Sequence, residues 1–143
     1  IEAGRCYYVP SQDFINMSPL DSWKSKDDIS AQDFYYSVLM HELTHWTGHK
    51  DRLNRVDCNP FKEDSYKKQY AFEELVAEFG SAFLCSSLGM TKTPIENHSQ
   101  YIKGWIQNLK DKPTLLMKAT AQAQKATDLM FSFQDTKQLE KVA

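Results

Sequence analysis

The pattern of hydrophobic and polar residues changes along this chain, from short β-branched and aromatic runs to apolar positions at helical spacing. Residues 5–9 and 14–17 are β-branched and aromatic runs, and Pro10-Ser11-Gln12-Asp13 between them is a turn sequence. This pattern predicts a small N-terminal hairpin or sheet. Residues 20–30 are polar and are expected to form a loop.

Beyond residue 30, apolar positions recur every three or four residues, which predicts helices. Ser30 with Asp33 forms a weak capping box for the first helix, and Gly48 is suited to end it. A short sheet followed by helices gives an α+β fold class. The four predicted helices cover about residues 30–48, 66–88, 93–110 and 113–131.

The first two helices each show a face that should point inward. On the first helix, the inward stripe is predicted to include both histidines. On the second helix, the inward stripe is aromatic and aliphatic. Small residues beside this second stripe would let another helix approach closely. The first stripe is Phe34, Val38, His41 and His45; the second is Phe72, Val76, Phe79 and Phe83; the small residues are Ala71, Ala77, Gly80, Ser81 and Ala82.

Composition narrows the possible functions. The chain has 143 residues and 41% hydrophobic content, which suits one folded domain, and its net charge of −2 argues against a nucleic-acid-binding surface. No apolar run is long enough for a membrane span, so no membrane partner is expected. The three cysteines form no CxxC pair, which indicates reduced thiols and a cytoplasmic protein.

One pentapeptide on the first helix, His41-Glu42-Leu43-Thr44-His45, carries most of the candidate chemistry. Its two histidines lie one turn apart on the same helical face, where both imidazoles can reach one metal ion. Glu42 lies between them and can take a proton from a water held by that metal. A buried histidine without a partner is costly, so an inward face with two histidines calls for a metal or a hydrogen-bond network.

Catalytic zinc takes three protein ligands and keeps one position for water, so a third ligand is expected from another part of the chain. A third histidine close behind the motif would have to follow His45 by six residues, whereas His49 follows it by four. The three-histidine pattern is therefore not met. The candidates are His49, Cys58, Glu73, Glu74, Glu78 and His98.

Glu74 and Glu78 lie one turn apart on the second helix and form the preferred pair. One carboxylate can bind the metal, and the other can accept a hydrogen bond from the far nitrogen of a ligating histidine. Their spacing resembles the Glu-x-x-x-Asp element of the gluzincins, with Glu78 in the place of the aspartate. That resemblance implies Glu74 as the ligand and Glu78 as its support, while the reverse assignment stays open.

A longer resemblance covers nearly the whole chain. Residues 41–49 with 52–55 look like the C-terminal zincin-like domain of ArdC-type antirestriction proteins. The same family is similar at residues 73–80 and 97–102, and its Tyr-x-Pro-x-x-Asp segment is similar to residues 8–13.

This resemblance implies a zincin-like metallopeptidase fold that occupies residues 1–143 as a single domain. It implies one Zn²⁺ per chain, held by His41, His45 and Glu74, in proteins carried by plasmids, conjugative elements and their bacterial hosts. The family's N-terminal single-stranded-DNA-binding domain is expected to be absent from this chain. Nucleic acid is therefore expected as a partner only through that missing domain.

The expected reaction is hydrolysis of a peptide bond in a peptide or protein substrate. Glu42 would pass the proton of the attacking water to the leaving amine, and a further donor should stabilise the oxyanion. The edge of the predicted sheet could bind an extended peptide by strand addition. The candidate oxyanion or substrate contacts are His49, His98, Tyr101 and Tyr36.

The alternative is a zincin-shaped metal-binding module that acts by contact with protein or DNA, with little or no proteolysis. Glu42 discriminates between the two hypotheses, because a domain kept only for metal binding or shape has no need of that carboxylate. Its presence favours the enzyme.

Overall fold

The chain folds as a short hairpin followed by helices, in the order that the sequence predicts. The computed structural model describes residues 6–26, 28–90 and 113–140, with side chains in the last range as far as residue 134. The predicted helix over 93–110, with its candidates His98 and Tyr101, lies outside the described residues. The elements are β1 (Tyr7–Val9), β2 (Phe14–Asn16), a 3₁₀ turn (Leu20–Ser22), α1 (Ala31–Thr47), α2 (Arg55–Cys58), α3 (Tyr66–Ser87) and α4 (Pro113–Glu140).

The predicted hairpin is confirmed. Strands β1 and β2 pair antiparallel, with Tyr8 opposite Ile15. Asp13 adopts a φ of 53° in the connecting turn, a left-handed conformation that Asp tolerates better than most residues. Its carboxylate also accepts a 2.8 Å hydrogen bond from the Tyr8 hydroxyl, which closes the hairpin on itself.

Both predicted ends of α1 are confirmed. The Ser30 hydroxyl accepts a 3.0 Å hydrogen bond from the Asp33 backbone N–H, as an N-cap does. Gly48 is the C-cap, and its N–H donates to the His45 carbonyl at 2.8 Å. The helix therefore spans the whole candidate metal motif in regular geometry.

Helix α3 lies between α1 and α4 and contributes most of the core. The alanine-rich face of α4 is fully buried at Ala119, Ala123 and Ala126, so this helix packs into the core. Phe72 and Val76 lie in the core as predicted, while Phe79 and Phe83 are only partly buried against it. The residues of this core cluster are Phe72, Leu75, Val76, Ala119 and Ala123.

The contact between α1 and α3 is made by small and polar residues. Ser37, His41 and Thr44 are buried on α1, whereas the predicted apolar positions Phe34 and Val38 are only partly buried. Opposite them, a Cβ added to Gly80 would lie 2.7 Å from Thr44 Oγ1 and closer still to Cγ2. The predicted close approach at Gly80 is thus confirmed. It brings the metal motif of α1 within reach of the glutamates on α3.

Two features of the helices differ from the prediction. Helix α4 continues to Glu140, beyond the expected end near Phe131. The polar loop after α1 contains the four-residue helix α2, entered through Asn54 in the left-handed region at a φ of 45°. Among the described residues, no helix combines the length and the apolar character that crossing a membrane would require.

Candidate metal centre

Three potential metal ligands converge between α1 and α3. The Nε2 atoms of His41 and His45 are 3.1 Å apart. Glu74 faces both, with Oε2 at 3.4 Å from His41 Nε2 and Oε1 at 3.2 Å from His45 Nε2. The structure thus brings together the three ligands that the resemblance implied, within 4.8 Å of one another.

These separations fit a common metal ion. Zinc bonds to histidine nitrogen and carboxylate oxygen are about 2.0–2.2 Å long, and tetrahedral ligands at that distance are about 3.3–3.6 Å apart. The observed spacings of 3.1–3.4 Å are close to this range. Two imidazoles and one carboxylate are a donor set that suits zinc and other divalent transition metals.

Each histidine is also held at its far nitrogen by a glutamate of α3. Glu78 Oε1 lies 3.3 Å from His41 Nδ1, the arrangement expected for a supporting carboxylate. Glu73 Oε1 lies 3.2 Å from His45 Nδ1 and supports the second histidine in the same way. The sequence indicated Glu73 only as a possible ligand, because nothing in its spacing marks this supporting position.

The carboxylates dominate the electrostatics of the two imidazoles. Burial alone would lower the pKa of His45, but hydrogen bonds with Glu73 and Glu74 outweigh it and raise that pKa to about 10. Burial likewise opposes protonation of His41, yet Glu74 and Glu78 raise its pKa. In the metal-free protein these groups therefore bind protons readily, and a metal ion would have to displace them.

Glu42 is buried beside this cluster, and its carboxylate is held by the hairpin. Oε2 accepts a 2.8 Å hydrogen bond from the backbone N–H of Tyr8 in β1. The edge of β1 that is not paired with β2 therefore faces the candidate catalytic carboxylate. A backbone donor leaves no signal in the sequence, so this contact could not be predicted.

The cluster opens into a cleft of about 760 Å³ between the hairpin, the end of α1, the following loop and the start of α3. Tyr70 lines it one turn before Glu74. Burial raises the pKa of the Tyr70 phenol above its usual range, and its hydrogen bond with Glu74 adds to the effect. The phenol is therefore protonated at neutral pH and is a hydrogen-bond donor.

The other sequence candidates take different places. Among the described ones, His49 lines the cleft, with its Nδ1 accepting a 3.3 Å hydrogen bond from the Asp51 N–H. Tyr36 is not among the lining residues and packs edge-to-face on Tyr35, with ring centroids 5.2 Å apart. Cys58 is exposed outside the cluster, and Cys6, Cys58 and Cys85 are all free thiols, as expected.

The Tyr-x-Pro-x-x-Asp segment, residues 8–13, is held in place by an arginine from the loop after α1. Arg52, from the loop after α1, donates to Asp13 Oδ2 at 3.0 Å and to the Tyr8 hydroxyl at 3.3 Å. Its guanidinium carbon lies 3.8 Å above the Trp46 ring. These contacts fasten the hairpin to the end of α1 and so fix one wall of the cleft.

Two solved structures are similar to the chain over most of its length. Both are ArdC antirestriction protein from the R388 plasmid. The metal-free form has a TM-score of 0.71 and 43% identity, covering 90% of this chain and 43% of that one. The Mn(II)-bound form has a TM-score of 0.73 and 42% identity, covering 92% of this chain and 45% of that one. The α+β, zincin-like fold and the ArdC resemblance are thereby confirmed.

Curated relatives are longer proteins. Two proteins named DNA primase TraC, from Escherichia coli, are each 36% identical, over 93% and 91% of this chain but 12% and 8% of their own lengths. An uncharacterised protein of Sinorhizobium fredii is 31% identical over 96% of this chain and 42% of its own length. The chain thus spans less than half of each relative. The MPTase-PolyVal model, described as a zincin-like metallopeptidase, matches residues 1–122, and the chain belongs to that family.

Proposed function

We propose that this chain is a zinc-dependent metallopeptidase domain, occupying residues 1–143, which hydrolyses peptide bonds in a peptide or protein substrate. The observation that carries the proposal is the convergence of His41, His45 and Glu74 in a cleft that also holds the Glu42 carboxylate. We assign the first three as ligands of one Zn²⁺ per chain and Glu42 as the catalytic residue. Glu73 and Glu78 orient the histidines.

When bound, a divalent ion at this site would polarise a water molecule and the substrate carbonyl. Glu42 would accept the proton of that water and deliver it to the leaving amine. The Tyr8 N–H donates to the carboxylate at 2.8 Å and holds it in place, and Glu42 is only 8% exposed.

Tyr70 is our assignment for the oxyanion donor. It lines the cleft, interacts with Glu74, and lies close enough to Glu42 for that charge to raise its pKa further. A protonated phenol beside the reacting carbonyl is a suitable donor for developing negative charge. His49, which also lines the cleft, is the second candidate among the described residues.

The hairpin supports a peptide as the substrate class. Strand β1 pairs with β2 on one edge, and the Tyr8 N–H on the other edge points at the catalytic carboxylate. An extended substrate could add to that edge through main-chain hydrogen bonds and place its scissile bond near Glu42.

The biological setting is proposed from the relatives. The similar plasmid protein is an antirestriction protein, and its Mn(II)-bound form supports the binding of a divalent metal by this chain. We propose an antirestriction role on mobile elements, with zinc as the metal. The cytoplasmic location stays a prediction. A module that acts by protein or DNA contact with little proteolysis is the alternative, and the buried Glu42 in the cleft speaks against it.

Metal analysis combined with a cleavage screen tests the proposal. The purified chain should hold one zinc and cleave members of an unbiased peptide library. Glu42→Gln should keep the zinc and lose cleavage by about 10²–10⁴-fold, the usual contribution of a general base. The exposed Glu63→Gln is the matched control and should behave as wild type. A wild type without stoichiometric divalent metal would refute the proposal. A Glu42→Gln protein with full biological effect would favour the binding module.

A further inference from the structure

A buried arginine lies over the C-terminal end of the metal-motif helix. Arg55 is 3% exposed and donates to the Thr44 carbonyl at 2.5 Å and to the Thr47 hydroxyl at 2.6 Å. Its third partner is Glu73, whose oxygens it meets through Nε at 3.2 and 3.0 Å and through a second nitrogen. One side chain thus joins the end of α1 to the carboxylate that holds His45.

The local backbone is arranged to admit this guanidinium. A Cβ on Gly48 would lie 2.6 Å from Arg55 Nη2 and 2.7 Å from its Cζ, so only glycine leaves room there. Asn54 takes up a left-handed conformation directly before Arg55 and turns the chain back towards α1. The Arg55 N–H then donates to the Gly48 carbonyl at 3.0 Å, which fixes the start of α2 against the helix end.

We propose that Arg55 is a positioning residue for the metal centre, acting through Glu73 to fix the imidazole of His45. The inference rests on the proposed metal site. Glu73 Oε1 is shared between Arg55 and His45 Nδ1, so the guanidinium sets where that oxygen lies. With Nδ1–H donating to Glu73, the lone pair of His45 Nε2 would be left for the metal, on the side where His41 and Glu74 lie.

The planar fork of arginine is needed for this task. Its nitrogens donate hydrogen bonds to Glu73, to two backbone carbonyls and to a hydroxyl at the same time. A lysine ammonium cannot do this in the same geometry. The fork also places a positive charge beside the Glu73 carboxylate, whose Oε1 lies 3.2 Å from His45 Nδ1.

Zinc affinity measured by chelator competition tests the inference. Arg55→Lys should weaken Zn²⁺ binding by about tenfold or more, the cost typical of removing support from a metal-bound histidine. Arg52→Lys is the matched control. It lies in the same loop, but its partners are Asp13, Tyr8 and Trp46, so its zinc affinity should stay within about twofold of wild type.

A double-mutant cycle separates positioning from general support of the fold. If Arg55 acts through Glu73, then Arg55→Lys should weaken zinc binding little further in a Glu73→Gln background, because the link is already broken. Gly48→Ala leaves the guanidinium intact but displaces it, so this variant should also weaken zinc binding. It tests the inference independently if Arg55→Lys fails to fold.

The outcomes are distinct. Unchanged zinc affinity in a folded Arg55→Lys or Gly48→Ala protein would overturn the inference and leave the proposed function standing. Fully additive losses in the cycle would also overturn it, since they would assign Arg55 a role independent of Glu73. A wild type that binds no zinc would refute the proposed function and, with it, this inference.

Discussion

The two α3 glutamates nearest His41 meet different atoms of the imidazoles. Glu74 faces the Nε2 atoms of both histidines, whereas Glu78 faces only Nδ1 of His41. Glu74→Ala is therefore expected to lose stoichiometric zinc, because it removes a proposed ligand. Glu78→Ala should weaken zinc binding by about 10–100-fold, because it removes only the support of a proposed ligand. Chelator competition on both purified variants measures the difference.

The exposed Glu63→Ala serves as the control for removal of one negative charge and should leave zinc affinity unchanged. If Glu78→Ala lost the metal and Glu74→Ala kept it, the two roles would have to be exchanged. That reverse assignment was left open by the sequence, and the observed nitrogen contacts favour the present one.

The phenol of Tyr70 provides a second test at the residue scale. Tyr70→Phe should lower kcat by about 10²–10³-fold, the usual cost of losing one oxyanion donor, while zinc content stays at one per chain. Tyr66→Phe is a close control, since Tyr66 lines the same cleft and stacks on Tyr70 with centroids 6.1 Å apart. A kcat within twofold of wild type would remove Tyr70 from the mechanism.

The sequence predicted the site residues whose spacing follows a helix and missed those that reach it by other routes. His41 and His45 lie one turn apart with Glu42 between them, Glu74 and Glu78 lie one turn apart on the next long helix, and the structure gathers all five. Arg55 arrives from an irregular loop, and its use depends on a left-handed residue and on space above a glycine. The periodicity of the sequence does not reveal such contacts. It does not reveal the backbone N–H that donates to Glu42 either.

At the scale of elements, the proposed ligands meet because α1 packs closely against α3. Gly80 allows this close packing because it has no side chain. Helix propensity alone predicts that Gly80→Ala stabilises the protein by about 1 kcal/mol. The added Cβ would instead collide with Thr44, which is fully buried, so we expect destabilisation by about 1–3 kcal/mol. Urea unfolding of the metal-free protein gives the sign directly.

Relief of the collision provides the control. Thr44→Ala removes the two nearest atoms, Oγ1 and Cγ2, and leaves only the Thr44 Cβ at 3.1 Å, so Gly80→Ala should cost less in that background than in wild type. A stabilised Gly80→Ala protein would show that the helices can separate at no cost. The hydrophobic pattern alone could not identify this contact between α1 and α3, because the residues buried there are small or polar rather than apolar.

The tie between the hairpin and the loop after α1 should depend on pH. The hydrogen bond from Arg52, aided by the Tyr8 hydroxyl, lowers the pKa of Asp13 from 3.8 to about 2. Its stabilising contribution is therefore complete above about pH 4 and disappears as the pH falls towards 2. The difference in unfolding free energy between wild type and Asp13→Asn should shrink over that range.

Urea unfolding at several pH values between 6 and 2.5 measures this difference. Asp21→Asn, an exposed aspartate in the 3₁₀ turn, is the control for loss of an acidic group. A wild-type advantage over Asp13→Asn that stayed constant down to pH 2.5 would mean that the Arg52 pairing does not stabilise the fold.

At the scale of the whole molecule, the proposed metal centre connects α1 to α3. Two of its three donors come from one helix and one from the other, so a bound ion links elements that otherwise meet through small side chains. The sequence could predict each helix and the small residues that permit a close approach, but not that Gly80 would lie against Thr44, the neighbour of His45.

Zinc should accordingly stabilise the entire fold. A ligand that binds only the native state adds about 2.7 kcal/mol at one hundred times its Kd, which for a chain of this size raises Tm by roughly 5–15 °C. Thermal unfolding with and without Zn²⁺ should show this rise in wild type, and a chelator should reverse it. Glu42→Gln should show the same rise, because its carboxylate is assigned to chemistry rather than to ligation. His45→Ala should show little, since it removes a ligand. An equal rise in His45→Ala would place the stabilising zinc elsewhere and separate metal binding from the proposed catalytic centre.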